Sequence, residues 1–565
     1  MQLLDRAEGP AGRWRVGSPG HEPVDWSGFA TGPVVFSAEE LDQVCLALLG
    51  IPAAEVAAVA AAEIAPFTAE PGEHPPAVLL HSATASLKGF EGDLTDLREG
   101  RSPWDVPGYL EARVVALAEP GDLAVGRTAA WQEAVTSRGV AHLVLPDLDH
   151  YYLSQALLAA AVTRDPGGAA LLDALVAWLQ EHPEAVLRLY ALDREMQILL
   201  VWLRRQAGLD RLRTDANTPA VADRWNAKDH LHPTVDAATT LLMFDEASAP
   251  TVLSAEQCHS EGYRRLGMRL PVVPGYTVPR RGRTEAEFLT DAHRAVALLA
   301  ERHGITRLCL KPSEAGDGAR IVPGLDTADR DRLDKELRLA HRHGDDYLLE
   351  AHVEFAGFSA AGRRFALSPS GHIRGGHVAP GITVQLMDGL SWVGNAYVDG
   401  ATCASVGLSE PMYRALRESL LHIRDAFHGE AARADGSHGG LVTGGIDFAV
   451  GRVGGRYGDA VLCGAIDFNL SSNGGEYLRA FLDTVTPQGF RYAATRVYRP
   501  SPQAGLVATD AVVQALAPPG QVAATVAAVP RSWGMVAVTG PDTVTAIELV
   551  EQLVAGLAER GLATA

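Results

Sequence analysis

The hydrophobic and polar positions of the chain switch repeatedly between helical and extended spacing. Near the N-terminus, Ser37-x-x-Glu40 is a capping box ahead of an apolar, Ala-rich run, which predicts a helix to about Ala62. Apolar runs at 113–117 and 142–145 read as strands that alternate with helical segments. This alternation predicts an α/β domain in the first part of the chain.

The same alternation continues in the centre of the chain. A second capping box, Thr284-x-x-Glu287, starts a helix that Gly304 is expected to end. The run 306–310 then predicts a strand, and 409–428 has the spacing of an amphipathic helix. Helix and strand therefore follow each other through this region as well.

Breaks between these patterns suggest the domain boundaries. A Pro-rich stretch at 70–76 is a candidate linker, and a strand at 533–539 followed by a helix at 543–559 indicates a closing α/β unit. The predicted domains are an N-terminal extension with a helix (1–75), an α/β domain (76–225), a large central domain (226–485) and a small C-terminal α/β domain (486–565).

Lysine is rare in this chain: only four of its 49 basic residues are lysines, and Lys311 ends an apolar strand. It enters a Gly-rich stretch, where glycines let backbone N–H groups approach an anion and an ammonium can contact phosphate. No Gly-Lys-Ser/Thr occurs, and the third glycine of a dinucleotide fingerprint is missing. The plain alternative is a glycine turn with a surface lysine. We predict a phosphate site at Lys311, Ser313, Gly316, Asp317, Gly318 and Ala319.

Two later strands carry carboxylates inside apolar patterns. The segment GGIDF at 444–448 is echoed by GAIDFN at 464–469. Residues two apart in a strand share a face, so Asp467 and Asn469 point the same way, and Asp447 meets them if the strands pair as a hairpin. Burying unpaired carboxylates is costly, and such oxygens with nucleotide phosphates suit Mg²⁺ or Mn²⁺. Strand-end caps are the structural alternative to this metal site.

This order of features resembles the ATP-grasp superfamily: Lys-Pro before a Gly-rich loop, an acidic hinge, then Ile-Asp-Phe and Asp-x-Asn on later strands. The resemblance covers residues 226–485 and implies two α+β subdomains that clamp ATP, with a lid at about 305–385. Residues 76–225 are similar to the pre-ATP-grasp domain of natural-product peptide ligases of the pheganomycin type. The implied fold is thus α/β, with a pre-ATP-grasp domain before the ATP-grasp fold and a small α/β domain after it.

The resemblance also implies nucleotide contacts. An earlier phosphate lysine normally precedes the pattern, and Lys228 is the candidate. The hinge is implied to contact adenine through Glu350 and through the backbone of Ala351 and Val353. Glu354 is implied to face the ribose, and His352 belongs to the same nucleotide-binding segment.

One position departs from the family pattern. The last motif usually ends in an arginine that helps to hold the transferring phosphate, and this chain has Ser471 there. Either another arginine supplies the charge or phosphoryl transfer is impaired; the nearby candidates are Arg320, Arg363, Arg364 and Arg374. Of these, Arg374 is expected to stabilise an acyl phosphate, and His377 to contact substrate or assist the amine.

The resemblance implies an ATP-dependent ligase that joins a carboxylate to an amine through an acyl phosphate, releasing ADP and phosphate, in specialised metabolism. Its partners would be a small-molecule carboxylate and an amine such as an amino acid or peptide. Two alternatives remain. The acyl acceptor could be the thiol of a carrier protein or of coenzyme A, or the chain could be an ATP-binding regulatory protein without turnover.

Composition excludes several other classes of protein. The net charge of −20 disfavours nucleic-acid binding, and no apolar run is long enough to span a bilayer. The start of the chain does not resemble a signal peptide, so a cytoplasmic protein, with a homodimer as one possibility, is expected. The cysteines lie far apart, and His230 and His232 have no partner at metal-site spacing, so no structural metal is predicted.

Overall fold

The structure of the protein is a computed structural model. It describes residues 5–7, 13–15, 36–68, 74–82, 106–126, 131–145, 152–218, 221, 228, 232, 234–235, 244–245, 272–313, 320–427, 441–501, 504–529 and 533–564. The predicted phosphate-loop residues Gly316, Asp317, Gly318 and Ala319 lie outside these ranges.

The first part of the chain alternates short strands with helices. Its elements are β1 (Asp5–Ala7), β2 (Arg13–Arg15), α1 (Ala38–Leu49), α2 (Val56–Glu63), β3 (Ile64–Pro66), β4 (Ala77–Leu80), α3 (Val106–Glu111), α4 (Arg113–Leu117), β5 (Leu123–Gly126), α5 (Gln132–Thr136), β6 (Ala141–Val144), α6 (Leu153–Thr163), α7 (Pro166–Glu181), β7 (Val186–Leu189), α8 (Arg194–Ala207) and β8 (Leu212–Thr214).

Six of these strands form a parallel sheet in the order β3-β8-β7-β4-β5-β6. Helices cover both faces, as parallel sheets require, and the side chains of β4 divide between two hydrophobic clusters. The chain winds from β4 towards β6 on one side and from β7 towards β8 on the other. The winding therefore reverses between β4 and β7.

Two predictions in this region need correction. Arg113–Leu117 is helix α4 and not a strand, because a short apolar run suits a buried helix as well as a strand, and Val114 and Leu117 pack on Leu79 of the sheet. The run predicted as one helix to Ala62 is two helices, since Gly50 ends α1 with φ 74°. The capping box at Ser37 and the strand at 142–145 are confirmed.

The next part of the chain forms a small antiparallel sheet in the order β10-β13-β11-β12, packed on two helices. Helix α9 starts at the predicted capping box of Thr284 and ends at Gly304, whose φ is 66°. The elements are β9 (Phe244–Asp245), β10 (Gly275–Val278), α9 (Glu285–His303), β11 (Arg307–Pro312), β12 (Val322–Asp326), α10 (Arg330–His343) and β13 (Tyr347–Ala351).

The two strands Gly357–Ala360 and Arg363–Ala366 form a two-stranded sheet of their own, and most of the other remaining elements build a large sheet whose main path is antiparallel. The remaining elements run from residue 354 to residue 564. They are β14 (Glu354–Phe355), β15 (Gly357–Ala360), β16 (Arg363–Ala366), β17 (Pro369–Arg374), β18 (His377–Val378), β19 (Ile382–Asp388), β20 (Ser391–Val398), α11 (Glu410–Ala426), β21 (Gly444–Arg452), β22 (Leu462–Asn469), α12 (Gly475–Val485), β23 (Tyr492–Pro500), α13 (Leu506–Leu516), β24 (Ala523–Val529), β25 (Trp533–Gly540), α14 (Thr543–Glu559) and β26 (Ala563–Thr564).

The main path of this sheet is β24-β25-β23-β20-β19-β17-β21-β22-β9. Helices α11 and α14 pack on one face and α12 on the other. The C-terminal strands β23, β24 and β25 thus extend the sheet that holds the two Asp strands. The predicted α/β fold is confirmed, with a parallel sheet followed by two units of antiparallel sheet and helices.

Within the described ranges, no single helix has the length and apolarity to cross a membrane. The segments Ala38–Leu49 and Ala53–Glu63 meet both requirements only when they are counted together, and they are bent by 74° at their junction.

Candidate active site

The two repeated Asp residues lie opposite each other in neighbouring strands. The hairpin of β21 and β22 pairs Asp447 with Asp467, and a β-bulge follows between Asp447 and Phe448. Directly opposed residues of an antiparallel pair share one face of the sheet, so the two carboxylates are close. The sequence-based expectation that these strands meet as a hairpin is confirmed.

The surroundings of this pair are polar. The amide Nδ2 of Asn469 donates to Asp447 Oδ2 at 3.4 Å, and the backbone N–H of Phe468 donates to Asp467 Oδ1 at 2.7 Å. Burial and the charge of Asp467 raise the pKa of Asp447 to about 6, against the lowering effect of hydrogen bonds from Ser370 and Gln385. Two carboxylates held this close favour a cation between them.

Lysine 228 is one cation that meets this pair. Its Nζ lies 3.1 Å from Asp467 Oδ1, and its side chain is largely buried. Its backbone N–H donates to the carbonyl of Ser313 at 3.0 Å, so the two predicted phosphate-binding segments lie side by side. The gap of 83 positions between Lys228 and Lys311 in the sequence is thus closed in the fold.

Lysine 311 lies in a buried cluster of three ionisable side chains. Its Nζ is 2.8 Å from Glu350 Oε2 and also donates to the carbonyl of Ile466. The second oxygen of Glu350 is 2.5 Å from His232 Nε2. Burial by itself raises the pKa of Glu350, but Lys311 and His232 outweigh it and hold that pKa below its ordinary value.

This cluster joins the small sheet to β22, the strand that carries Asp467. Lys311 belongs to β11 and Glu350 to β13, whereas Ile466 is the residue before Asp467 in β22. A second link comes from Val273, whose N–H donates to Ala465 O at 3.3 Å. Both candidate phosphate lysines therefore converge on the strand that carries Asp467.

The described hinge residues differ in their hydrogen-bond partners and in their exposure. The N–H of Ala351 donates to Pro274 O, and that of His352 donates to Arg307 O, so both donors are engaged within the protein. Val353 is buried, and Glu354 is exposed and paired with Arg307 at 2.7 Å. The Glu350 carboxylate, expected at adenine, is engaged by Lys311 and His232.

The structure does not bring Arg374 and His377 to the Asp pair. They face each other across the hairpin of β17 and β18, and Arg374 donates to Asp483 at 3.0 Å. In β17 it is Ser370 that pairs with Asp447, and four residues of strand separate Arg374 from it by roughly 13 Å. The catalytic roles expected for Arg374 and His377 stay predictions, since the structure places neither side chain beside the Asp pair.

Sequence reasoning missed two histidines near the site. His372 follows Ser370 on the same face of β17, and its Nε2 lies 2.9 Å from Thr383 Oγ1. Burial, followed by the charge of Arg479, lowers the pKa of His372 to about 3, so the ring is neutral at pH 7. His232 was considered only as a metal ligand. The period-two pattern of β17 was the signal that could have revealed His372.

The Asp pair suits a magnesium ion bound together with phosphates. The described residues contain no cluster of three or more His, Cys, Asp or Glu side chains arranged as metal ligands. Two carboxylates and an amide oxygen are nevertheless a usual protein share for Mg²⁺, which keeps water or phosphate oxygens as its other ligands. Burial and the charge of Asp467 raise the pKa of Asp447, whereas Lys228 lowers it, so further positive charge at the pair would favour its ionised form.

Comparison with known proteins completes the description. No protein-family model and no curated protein matches the chain. Among solved structures, an ADP complex of N5-carboxyaminoimidazole ribonucleotide synthetase matches with a TM-score of 0.44 and 11% identity, over 88% of this chain and 99% of that one. The biotin carboxylase domain of *Hydrogenobacter thermophilus* 2-oxoglutarate carboxylase gives 0.40 and 12%, over 83% and 87%.

A third match is D-cycloserine synthetase, with a TM-score of 0.31 and 13% identity over 64% of this chain and 99% of that one. These three TM-scores lie below 0.5. The candidate site of this protein consists of two lysines, a carboxylate pair and an amide, which lie where the small and large sheets meet.

Proposed function

We propose that the protein is an ATP-grasp ligase that joins a small-molecule carboxylate to an amine. The observation that carries the proposal is the convergence of both phosphate lysines on one strand. Lys228 Nζ lies 3.1 Å from Asp467, and Lys311 donates to the carbonyl of the residue before it. Cations and carboxylates in this arrangement suit a nucleotide triphosphate with its metal ion.

Each charged residue has a separate task in this proposal. Asp447, Asp467 and Asn469 hold Mg²⁺, whose charge relieves the repulsion between the two carboxylates. Lys228 and Lys311 contact the phosphates as point charges. Glu350 and His232 keep the ammonium of Lys311 in place, since a lysine side chain otherwise has many rotamers.

ATP supplies the phosphoryl group that activates the acid. A carboxylate oxygen of the substrate attacks the γ-phosphorus, and the bond to the β-phosphate oxygen breaks to release ADP. The amine then attacks the carbonyl carbon of the acyl phosphate, loses a proton, and phosphate leaves. The residues act by positioning the reactants and by neutralising charge that develops on the phosphate oxygens.

A second candidate function rests on Ser471. It stands where the family usually has an arginine for the transferring phosphate, and it is buried, with its hydroxyl donating to Ser472 O at 3.4 Å. Without that charge, the transferring phosphate would lose one source of stabilisation. This favours, as the alternative, a protein that binds ATP for regulation without turning it over.

The deciding experiment measures ADP release by the purified protein with Mg-ATP and a panel of carboxylates and amines. Ligase activity requires ADP release that depends on both an acid and an amine. With an ¹⁸O-labelled acid, the label should appear in phosphate. Label in AMP would refute the mechanism, a thioester product would indicate a thiol acceptor, and ATP binding with no turnover across the panel would favour the regulatory alternative.

A further inference from the structure

The parallel sheet has its own place for a ligand, separate from the Asp pair. In open parallel sheets, ligands bind at the carboxyl ends of the strands where the winding reverses. That point lies between β4 and β7, whose last residues, Leu80 and Leu189, are paired in register. The residues that follow them, His81 and Tyr190, therefore lie side by side at this edge.

His81 is buried without being satisfied. Its exposure is 1%, and neither of its ring nitrogens has a hydrogen-bond partner among the residues that the structure describes. Burying a polar group without a partner is costly, and such a group in a folded protein calls for an explanation, for example a ligand. The imidazole offers one donor and one acceptor to such a ligand.

Arginine 113 approaches the same edge from above the sheet. Leu79 packs with Val114 and Leu117 of α4, and His81 follows Leu79 by two positions, so it lies on the face that α4 covers. Arg113 begins that helix and is buried. Its guanidinium carbon lies 5.1 Å from the ring centroid of Tyr190, the neighbour of His81.

This edge also contacts the segment that follows β22. Arg113 Nη1 donates to Asn473 O at 2.7 Å, and its guanidinium carbon is 5.0 Å from the ring of Tyr477 in α12. The N–H of Ser472 donates to the carbonyl of Tyr190 at 2.9 Å. Since β22 ends at Asn469, only a short loop separates the two sites.

Positive charge acts on His81 at this edge, where Arg188 and Arg374 also act on the carboxylate of Asp215 and the carboxylate of Glu476 adds negative charge. Burial lowers the pKa of His81 well below its ordinary value, and the charges of Arg113, Arg188 and Arg374 lower it further. The ring is therefore neutral at pH 7, and its N–H can donate to an anion beside the arginines. Arg374, which is too far along β17 for the Asp pair, contributes to the field here.

We propose that His81 and Arg113, at the switch point of the parallel sheet, bind the carboxylate of a small-molecule substrate. The site is a second one, across the Ser472–Asn473 loop from the nucleotide. As a substrate subsite it rests on the proposed ligase function, whereas the binding itself can be measured without ATP.

The test is calorimetric titration of the full chain, without nucleotide, with amino acids and succinate as probes and with amino acid amides and succinamide as their carboxylate-free counterparts. At least one acid should bind, and its amide should bind at least tenfold more weakly. His81→Phe should lose at least tenfold in affinity for that acid, and His81→Gln, which keeps a donor and an acceptor, should lose less.

The matched control is His142→Phe. His142 also has two ring nitrogens without a described partner, but it lies within β6 and not at the switch point, so acid binding should be unchanged. An amide that binds as tightly as its acid, unaltered affinity in His81→Phe, or no binding by any probe would overturn the assignment. Acid binding without ADP release would instead reject the ligase function and leave this site standing.

Discussion

The cluster of Lys311, Glu350 and His232 and the switch point of the parallel sheet are both buried and both ionisable, but their side chains differ in their partners. In the first, each of the three side chains has a charged or hydrogen-bonded partner within 2.8 Å, and only the Nδ1 atom of His232 has none among the described residues. In the second, His81 has no hydrogen bond to any residue in the described part of the chain. The first is therefore held together by ion pairs among its own side chains, whereas the proposed ligand would supply the hydrogen bonds that His81 lacks.

The largest expected effect comes from breaking the satisfied cluster. Lys311→Ala removes one partner of the buried Glu350 and, in the proposed site, a phosphate contact. A charge-assisted bond contributes about 1.5 to 3 kcal/mol, and an orphaned buried charge costs about 3 to 5 kcal/mol, so we expect both turnover and stability to fall sharply. ADP release and urea denaturation are the measurements. The exposed Lys335→Ala is the control, and near-normal kcat/KM in Lys311→Ala would disprove this site.

Removing one charge from the Asp pair should have a smaller effect. Asp467→Asn leaves the geometry intact but weakens metal binding, and the loss of one charge-assisted contact corresponds to roughly 10- to 100-fold in the Mg²⁺ concentration for half-maximal activity. A magnesium titration of ADP release measures the shift. Asp459→Asn, at the exposed tip of the same hairpin, should leave the titration unchanged. Activity that never responds to Mg²⁺ would refute the metal role of the strand.

Acid should lower the free energy of unfolding through His372, which lies near the Asp pair. The pKa of His372 is about 3 in the folded protein, below the ordinary value of 6.5, so protons bind preferentially to the unfolded state between these values. Stability contributed by the neutral ring is present above pH 6.5 and is lost as the pH falls, by about 2 kcal/mol at pH 5. Urea denaturation at pH 7 and 5 should show a smaller loss for His372→Gln. Equal losses would contradict the assigned pKa.

The smallest expected effects are changes in the free energy of unfolding, and they should have opposite signs at His81 and at the partner of His372. His81→Phe replaces an unsatisfied ring by an apolar one and should raise the free energy of unfolding by about 1 kcal/mol without ligand. Thr383→Val removes the partner of His372 and should lower it by about 1 kcal/mol. Both are read from urea denaturation at pH 7. A destabilised His81→Phe would show that this histidine is satisfied after all.

Local sequence signals predicted much of the fold. The capping boxes at Ser37 and Thr284 and the glycine at 304 mark helix ends because they act on backbone groups only a few residues away. The prediction of a strand at 113–117 failed because four consecutive apolar residues carry no distinctive period. Its neighbours in space, Leu79 among them, decided that it is helical.

The residues of the candidate site also divide into those that the sequence predicted and those that depended on tertiary structure. Period-two spacing placed Asp467 and Asn469 on one face, and the repeat of the motif correctly predicted that Asp447 lies opposite. Nothing in the local pattern of Arg374 in β17 or of His377 in β18 showed how far these residues lie from Asp447. That distance depends on the register between β17 and β21, which the packing of the whole sheet sets.

By itself, the sequence determined which residues form helices and strands in most places and which polar side chains share a strand face, because both follow from the fixed repeat of the backbone. Only the tertiary structure decided which distant charges become partners. Glu350 meets His232 across 118 positions, and His81 comes to lie beside Tyr190, because strand order and register are long-range properties. Burial of these side chains then shifts their pKa values and leaves some polar atoms without hydrogen-bond partners. No local sequence pattern contains this information.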